Sequence, residues 1–279
     1  MSTVTYTSQS CHSLADWLCY IEQSHPIHKI ELGLERVFSV AKRANLQLLS
    51  GKTLLVGGTN GKGTTVRALE QLLLAQGYSV GVYSSPHLLH FNERLRVNGA
   101  DVEDALWVAA FAFVEQLRQD VALSYFEFTT LVAFRLLQQH QVDFCLIEVG
   151  LGGRLDATNI IEPDLSILTT VDLDHQDYLG PDRESIGREK AGVFRTGKPA
   201  VIGETDIPQS VLKYSQDIAA KPVCINKDYQ YSVTQTSFSW RGVQNRFDAL
   251  PLTSVPLQNI ATALTALEAL ALLPSQQQT

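Results

Sequence analysis

Hydrophobic residues in the first 50 positions recur at the spacing of an amphipathic helix. This spacing predicts one helix near 13–24, in which Ser13 caps the segment LADWLCYIEQ and Asp16 follows three residues later, and a second helix near 33–45. The pattern then changes. The segment TLLVGG at 53–58 is short, apolar and ended by glycines, which is typical of a buried strand.

Helical and strand-like segments alternate over the next hundred residues. The stretch TTVRALEQLLLAQ has helical periodicity up to Gly77, and SVGVYSS returns to a strand pattern. Two helices are predicted near 101–119 and 128–140, and two strands at 142–150 and 164–171. This alternation predicts an α/β fold in which a mostly parallel sheet is flanked by helices on both faces.

The chain beyond Gly203 has a weaker pattern. It predicts a helix near 208–220 and a short strand at 222–225, and the alternating segments YQYSV and SFSW predict a small antiparallel β appendage. A last helix near 259–272 follows Pro256, and the polar tail PSQQQT is predicted to fray.

Composition narrows the classes of protein. The 279 residues are 45% hydrophobic and 18% charged, which is typical of a globular chain. A net charge of −7 disfavours a partner that is nucleic acid or a membrane surface. We expect a cytoplasmic protein, because the first residues lack a leader pattern and no apolar run reaches membrane length. The four cysteines have no metal-binding spacing and are expected to be reduced and mostly buried.

The most informative segment is GGTNGKGTT at 57–65, between a predicted strand and a predicted helix. Glycines let successive backbone N–H groups face one anion, the helix N-terminus adds partial positive charge, and Lys62 supplies a full charge. The segment departs from the common G-x-x-x-x-G-K-[ST] spacing, because Val56 replaces the first glycine and Gly63 follows the lysine. The alternative is a glycine-rich turn without a ligand.

Polar residues also end the neighbouring strands. Glu148 follows four apolar residues, and a carboxylate there needs a cation or hydrogen bonds. Ser85 ends another strand at the same expected edge, and Mg²⁺ accepts carboxylate, hydroxyl and phosphate oxygens together. The alternative is a structural pair between Glu148 and Arg154.

Two further candidates are ambiguous from spacing alone. His175 follows the strand LSILTTV and suits metal binding or proton transfer, or it is a loop histidine paired with a neighbouring aspartate. Lys190, which precedes AGVF, suits the C-terminal end of a helix.

Several segments together resemble a known family. They are GGTNGKGTTVRALE, GVYSSPHLLHFNERLRVNG, YFEFTT, IEVGLGGRLDATNII, LDHQDYLGPDRESIGREKAGVFR and PLQNIATALTAL. The chain resembles, from about residue 13 to 272, the dihydrofolate synthase/folylpolyglutamate synthase branch of the Mur ligases. The resemblance implies an ATP-dependent acid–amino-acid ligase that forms a carbon–nitrogen bond. It further implies that ATP phosphorylates a carboxylate and that the amine of L-glutamate attacks the acyl phosphate.

The resemblance also implies roles for residues. ATP would be bound by Thr59, Asn60, Gly61, Lys62, Gly63, Thr64 and Asn259. Of two Mg²⁺ ions, one would be held by Ser85 and Glu148 and the other by His175, while Lys190 would be carbamylated; Lys62, His175 and Lys190 are the implied catalytic residues. Dihydropteroate would be bound by Glu31, Leu32, Gly33, Leu34, Ser124, Tyr125, Phe126, Glu127, Leu155, Asp156 and Ala157. Phe126 suits stacking on a pterin ring, although a core phenylalanine is an equal alternative.

The resemblance finally implies a domain organisation. Residues 1–50 would be N-terminal helices, 51–225 a P-loop α/β core, and 226–279 the appendage and last helix, all within one Mur ligase-type domain. The family's C-terminal glutamate-ligase domain is expected to be missing, so we expect weak binding and poor turnover. Expected partners are small molecules only, and the expected state is a monomer. The rival classes are a P-loop kinase or NTPase and a non-catalytic remnant.

Overall fold

The computed structural model describes residues 6–273. The predicted fraying of the tail PSQQQT lies outside the described residues.

A twisted sheet of eight strands forms the centre of the molecule, in the order β4-β3-β2-β5-β1-β6-β7-β8. The six strands from β2 to β8 along this order are parallel, and β3 and β4 extend the β2 edge as an antiparallel hairpin. The strands are β1 (Lys52–Gly57), β2 (Val80–Tyr83), β3 (Leu95–Val97), β4 (Ala100–Asp101), β5 (Phe144–Glu148), β6 (Leu165–Leu168), β7 (Pro199–Ile202) and β8 (Lys221–Cys224). The predicted α/β class is confirmed.

Helices cover both faces of this sheet because its central strands alternate their apolar side chains. Leu55 and Ile147 face one hydrophobic cluster, whereas Leu54 and Leu146 face the other. The helices are α1 (Leu14–Ser24), α2 (Glu35–Lys42), α3 (Lys62–Ala75), α4 (Asp104–Arg118), α5 (Tyr125–His140), α6 (Gln176–Leu179), α7 (Arg183–Ala191), α8 (Gln209–Asp217) and α9 (Leu257–Ala269). No helix within residues 6–273 has the length and apolar character that a bilayer crossing requires.

The predicted antiparallel appendage is confirmed, with one strand more than expected. Its strands are β9 (Gln230–Val233), β10 (Ser237–Arg241) and β11 (Arg246–Pro251), and β10 lies in the middle. Trp240 from β10 is buried in the same cluster as α3 and α9, and its indole N–H donates to Thr265 at 3.1 Å. The appendage therefore packs on α3, which follows the glycine-rich loop, and on α9.

Local capping explains where several elements begin. The predicted cap of α1 is confirmed, because the Ser13 hydroxyl accepts from the Asp16 N–H and the Asp16 carboxylate accepts from the Ser13 N–H. A similar box of Ser124 and Glu127 starts α5 three residues before the predicted range. Three of the four cysteines are buried, Cys19 is exposed, and all four are free thiols.

Candidate active site

Four parallel strands deliver polar segments to one edge of the sheet. The loop 57–61 follows β1, Ser84 and Ser85 follow β2, Glu148 ends β5, and Thr169 to Asp172 follow β6. In parallel sheets this carboxyl edge is where ligands bind. The edge also receives α7 and the beginning of α9, which bring Lys190 and Asn259 to the loop.

The loop between β1 and α3 is held in a conformation that suits glycine. Gly58 and Gly61 have φ angles of 144° and 82°, and a Cβ at either position would overlap the side chain of Thr169 or Asn259. The Thr59 N–H donates to the Thr170 carbonyl at 2.8 Å, and the Thr169 hydroxyl donates to the Asn60 carbonyl at 2.6 Å. The loop is thus held in place by hydrogen bonds to the segment that follows β6.

The first turn of α3 directly follows this loop, and no side chain of the described residues caps it. The helix begins at Lys62, directly after Gly61, and the first N–H groups of a helix have no acceptor within it. Asn259 donates to the Gly61 carbonyl at 3.0 Å and to the Thr65 hydroxyl at 2.9 Å. The predicted nucleotide residues therefore form one unit that suits an anion, with Asn259 bracing the loop in this structure.

Two lysines share one acceptor in this loop. The Lys62 ammonium donates to the carbonyls of Gly58 at 3.0 Å and Thr59 at 3.2 Å, and the Lys190 ammonium donates to the same Gly58 carbonyl at 3.1 Å. Burial, and then the charge of Lys62, lower the pKa of Lys190 to about 8. The amine of Lys190 therefore reaches the loop instead of capping its own helix, and it is more easily neutralised than an exposed lysine.

Glu148 is a buried carboxylate beside the same helix. It is 6% exposed, and a Cβ on Gly63 would lie 3.8 Å from its Oε2 atom. Burial raises the pKa of Glu148 to about 7, although the charge of Lys62 and a hydrogen bond from the Ser85 N–H act in the opposite direction. The alternative of a pair with Arg154 is wrong, because the Arg154 guanidinium donates to Glu189 at 2.9 Å.

Glu148 also fits the chemistry of a cation site. Across residues 6–273 it has no ion pair within 4 Å, and no group of three His, Cys, Asp or Glu side chains there could hold a metal ion without other ligands. A divalent cation at Glu148 would therefore need the neighbouring hydroxyl and the oxygens of a bound phosphate, which is the ligand set that Mg²⁺ accepts.

His175 shares a cavity with Ser85 but not with Glu148. It precedes α6 with a φ of 47°, is 46% exposed, and has its Nε2 atom 3.7 Å from Asp174. His175 and Ser85 line one cavity, whereas Ser85 and Glu148 line the next. Of the three predicted metal residues, Ser85 is thus the one that lines both cavities, His175 lines the first and Glu148 lines the second.

The cavity beside His175 has a volume of about 340 Å³ and collects most of the predicted dihydropteroate residues. Those that line it are Glu31, Leu32, Gly33, Ser124, Tyr125, Phe126, Glu127, Leu155, Asp156 and Ala157. Leu34 instead precedes α2 and packs against the core. These residues come from three segments that are distant in sequence, and the fold brings them together around one cavity.

Phe126 forms a wall of this cavity and also touches the core. Its ring stacks on Tyr83 with centroids 6.4 Å apart, and a Cβ on Gly150 would lie 2.5 Å from its Cζ atom. Gly150 therefore leaves the room that the ring occupies.

Two acidic residues at the cavity differ in their surroundings. Asp156 is 2% exposed and accepts the N–H groups of Leu151 at 2.8 Å and Thr158 at 2.9 Å, yet burial raises its pKa. Hydrogen bonds from Lys29, at 2.6 Å, and from Arg36 lower the pKa of Glu31 to about 2. The carboxylate of Glu31 is thus ionised, and its charge is paired with Lys29 and Arg36.

Sequence reasoning missed Thr169, Thr170 and Arg94 at this edge. The two threonines stand directly after β6, so their position in LTTV was the available signal. Arg94 ends a short 3₁₀ helix and lines the cavity beside His175, and no periodicity marks it.

Comparison with known proteins agrees with the resemblance. Residues 56–266 match the family described as the Mur ligase middle domain. The dihydrofolate synthase/folylpolyglutamate synthase of Escherichia coli is 48% identical over 263 residues, which are 94% of this chain and 62% of that protein. The chain thus spans less than two thirds of the length of this relative.

Solved structures match over a similar range. The E. coli FolC structure in complex with DHPP and ADP has a TM-score of 0.93 and 46% identity, over 99% of this chain and 66% of that one. A bifunctional folylpolyglutamate synthase/dihydrofolate synthase with Mn, AMPPNP and L-glutamate bound has a TM-score of 0.89 and 47% identity, over the same shares. With the fold, the loop and the family match in agreement, this chain belongs to the Mur ligase family.

Proposed function

We propose that this chain is the nucleotide- and pterin-binding part of an ATP-dependent ligase that joins L-glutamate to dihydropteroate and extends folate polyglutamates. One observation carries the proposal. Ser85 lines both the cavity of Phe126 and Asp156 and the cavity of Glu148 and Gly63. An acid seated in the first cavity would therefore reach the phosphates held at the second.

The relatives support the same substrates. DHPP and ADP occupy one of the matching structures, and Mn, AMPPNP and L-glutamate occupy another. Since the chain spans 62% of its E. coli relative, the activity of the whole enzyme is carried over to it as a proposal.

Each residue has a physical task in this proposal. Lys62 and the first turn of α3 would bind the phosphates, Ser85 and Glu148 would hold one Mg²⁺, and His175 would hold the second. The cations would neutralise charge as phosphate and carboxylate approach each other. The lowered pKa of Lys190 favours the neutral amine that a carbamate requires. Phe126 would stack on the pterin.

The test measures ATP consumption and ligand binding by the 279-residue chain. We expect ATP consumption, however slow, to require dihydropteroate and L-glutamate together. Lys62→Met should weaken binding of an ATP analogue by about tenfold or more, because it removes a charged donor from the loop. Lys213→Met is the matched control, since Lys213 pairs with Asp217 on the exposed face of α8.

Two results would contradict the proposal. A phosphorylated product formed without glutamate would identify a kinase. A chain that binds neither the ATP analogue nor dihydropteroate would be a non-catalytic remnant.

A further inference from the structure

Arg94 is a buried arginine at the wall of the pterin cavity. It is 4% exposed and ends the 3₁₀ helix Phe91–Arg94. Its Nε–H donates to the Nδ1 atom of His87 at 2.8 Å, and its guanidinium carbon lies 5.4 Å from the ring centroid of Phe91 and 5.9 Å from that of Tyr125. The side chain is therefore held in place by an imidazole and two aromatic rings.

No carboxylate in the described part of the chain pairs with Arg94. Over residues 6–273 Arg94 has no ion pair within 4 Å, and its bond to His87 is its one side-chain hydrogen bond. Because the Nδ1 atom of His87 accepts the Arg94 N–H, the imidazole carries no proton at that atom. Burial, and then the charge of Arg94, lower the pKa of His87. Arg96, two residues further on, pairs with Glu70 at 2.9 Å, and Arg118 pairs with Glu115 at 2.7 Å.

A buried cation without a counter-charge is costly unless a ligand supplies one. Arg94 lines the cavity together with Ser85 and Phe126. Its backbone carbonyl accepts the Ser84 N–H at 2.9 Å, which fixes Arg94 next to the Ser85 end of that cavity. This is the end that adjoins Glu148 and the first turn of α3. An anionic group bound by Arg94 would thus lie beside the phosphate site.

We propose that Arg94 binds the carboxylate of the pteroate-type acid and selects acids over neutral pterins. The planar guanidinium suits a carboxylate, and its fixed position would aim that carboxylate at the nucleotide. The inference rests on the proposed function, because it concerns the acid of that reaction.

The first test uses the unaltered chain. Its affinity for dihydropteroate is compared with that for the carboxamide of dihydropteroate, which keeps the pterin and loses the charge. We expect the acid to bind about tenfold to a hundredfold more tightly, as for a charge-assisted hydrogen bond. Equal affinities would overturn the role of Arg94 and leave the proposed function intact. Binding of neither compound would overturn the proposed function itself.

The second test uses variants. Arg94→Gln should lower the affinity for the acid to that for the carboxamide and leave the carboxamide affinity unchanged, whereas Arg118→Gln should change neither. An equal loss for both compounds would mean that Arg94 only supports the fold. A selective loss of L-glutamate binding would assign Arg94 to the other carboxylate substrate and overturn the proposal.

Folding is checked by binding of an ATP analogue. Arg94→Lys, which keeps a charge, should retain part of the preference for the acid. If neither variant folds, the comparison of acid and carboxamide on the unaltered chain decides.

Discussion

Two buried carboxylates, one on α3 and one at the end of β5, differ in their surroundings. Glu70 on α3 is 0% exposed, and its Oε2 atom accepts the guanidinium groups of Arg67 at 2.6 Å and Arg96 at 2.9 Å. Glu148 at the end of β5 is 6% exposed and has no ion pair within 4 Å in the described part of the chain. Burial is therefore similar, and the counter-charge is what differs.

This difference separates a structural carboxylate from a candidate ligand. The charge of Glu70 is already balanced, so it has little capacity for a cation. Glu148 is desolvated and has no ion-pair partner among the described residues. Its pKa is therefore raised, and its oxygens remain available to a cation. Arg96 links the two, because it bonds to Glu70 and its charge lowers the pKa of Glu148.

The largest expected effect is on the free energy of unfolding of a Glu70→Gln variant. The change leaves Arg67 and Arg96 without their carboxylate, and breaking a buried pair costs about 3–5 kcal/mol. We expect about 3 kcal/mol, because Arg67 is in contact with water. Urea denaturation measures the effect, and Glu148→Gln is the matched control, for which we expect no loss at pH 7. Equal losses in both variants would remove the distinction between the two carboxylates.

The pH dependence of stability tests Glu148 more finely. Its pKa is raised from 4.5 to about 7 on folding, so the folded state binds more protons than the unfolded state between these values. The stability that Glu148 contributes is therefore complete below pH 4.5 and is lost as the pH rises to about 7. At 1.36 kcal/mol for each pH unit, the loss is roughly 3 kcal/mol spread over this interval.

Subtraction isolates this contribution from other groups. The unfolding free energy of the unaltered chain minus that of Glu148→Gln, without divalent cations, should fall between pH 4.5 and 7 and then level off. A difference that stays constant across this range would place the Glu148 carboxylate in a solvated environment.

Cation binding gives the next smaller effect. With an ATP analogue present, Mg²⁺ should bind about tenfold or more weakly to Glu148→Gln, because a neutral amide replaces a charged ligand. This corresponds to about 1.4 kcal/mol. Glu70→Gln, at a temperature where it is folded, should keep most of the affinity. A weaker loss in Glu148→Gln than in Glu70→Gln would reverse the assignment of the two carboxylates.

The same two residues illustrate how far the sequence could be interpreted. Glu148 stands out because a carboxylate ends an otherwise apolar strand, a local signal. Glu70 occupies an ordinary polar position in a helical pattern, and Arg96 lies 26 residues away, so no local pattern marks their pair. The Arg154 alternative was wrong for a similar reason, since its partner Glu189 is 35 residues away on α7.

Hydrophobic periodicity predicted the core strands and most helices, but it did not predict the shortest strands of the sheet. The core strands β1, β5 and β6 and most helices follow from apolar runs. The hairpin of β3 and β4 and the strand β7 were missed, because each is only two to four residues long and is stabilised by pairing with a neighbour. The glycines of the loop predicted the phosphate site from sequence alone. The position of Arg94 depends on packing that only the folded chain creates, so the sequence did not predict it.

The smallest expected effect separates the two arginines that hold Glu70. Arg67 is 53% exposed and lies three residues before Glu70 on the same helix, so Arg67→Ala should cost at most about 1 kcal/mol of unfolding free energy. Arg96 is 20% exposed and contacts both oxygens of Glu70, at 3.3 Å and 2.9 Å. Arg96→Ala should therefore cost more, and the double variant should show coupling because both arginines share one carboxylate. If Arg67→Ala were the more costly change, the exposed pair would hold Glu70, and Arg96 would be free to act on Glu148.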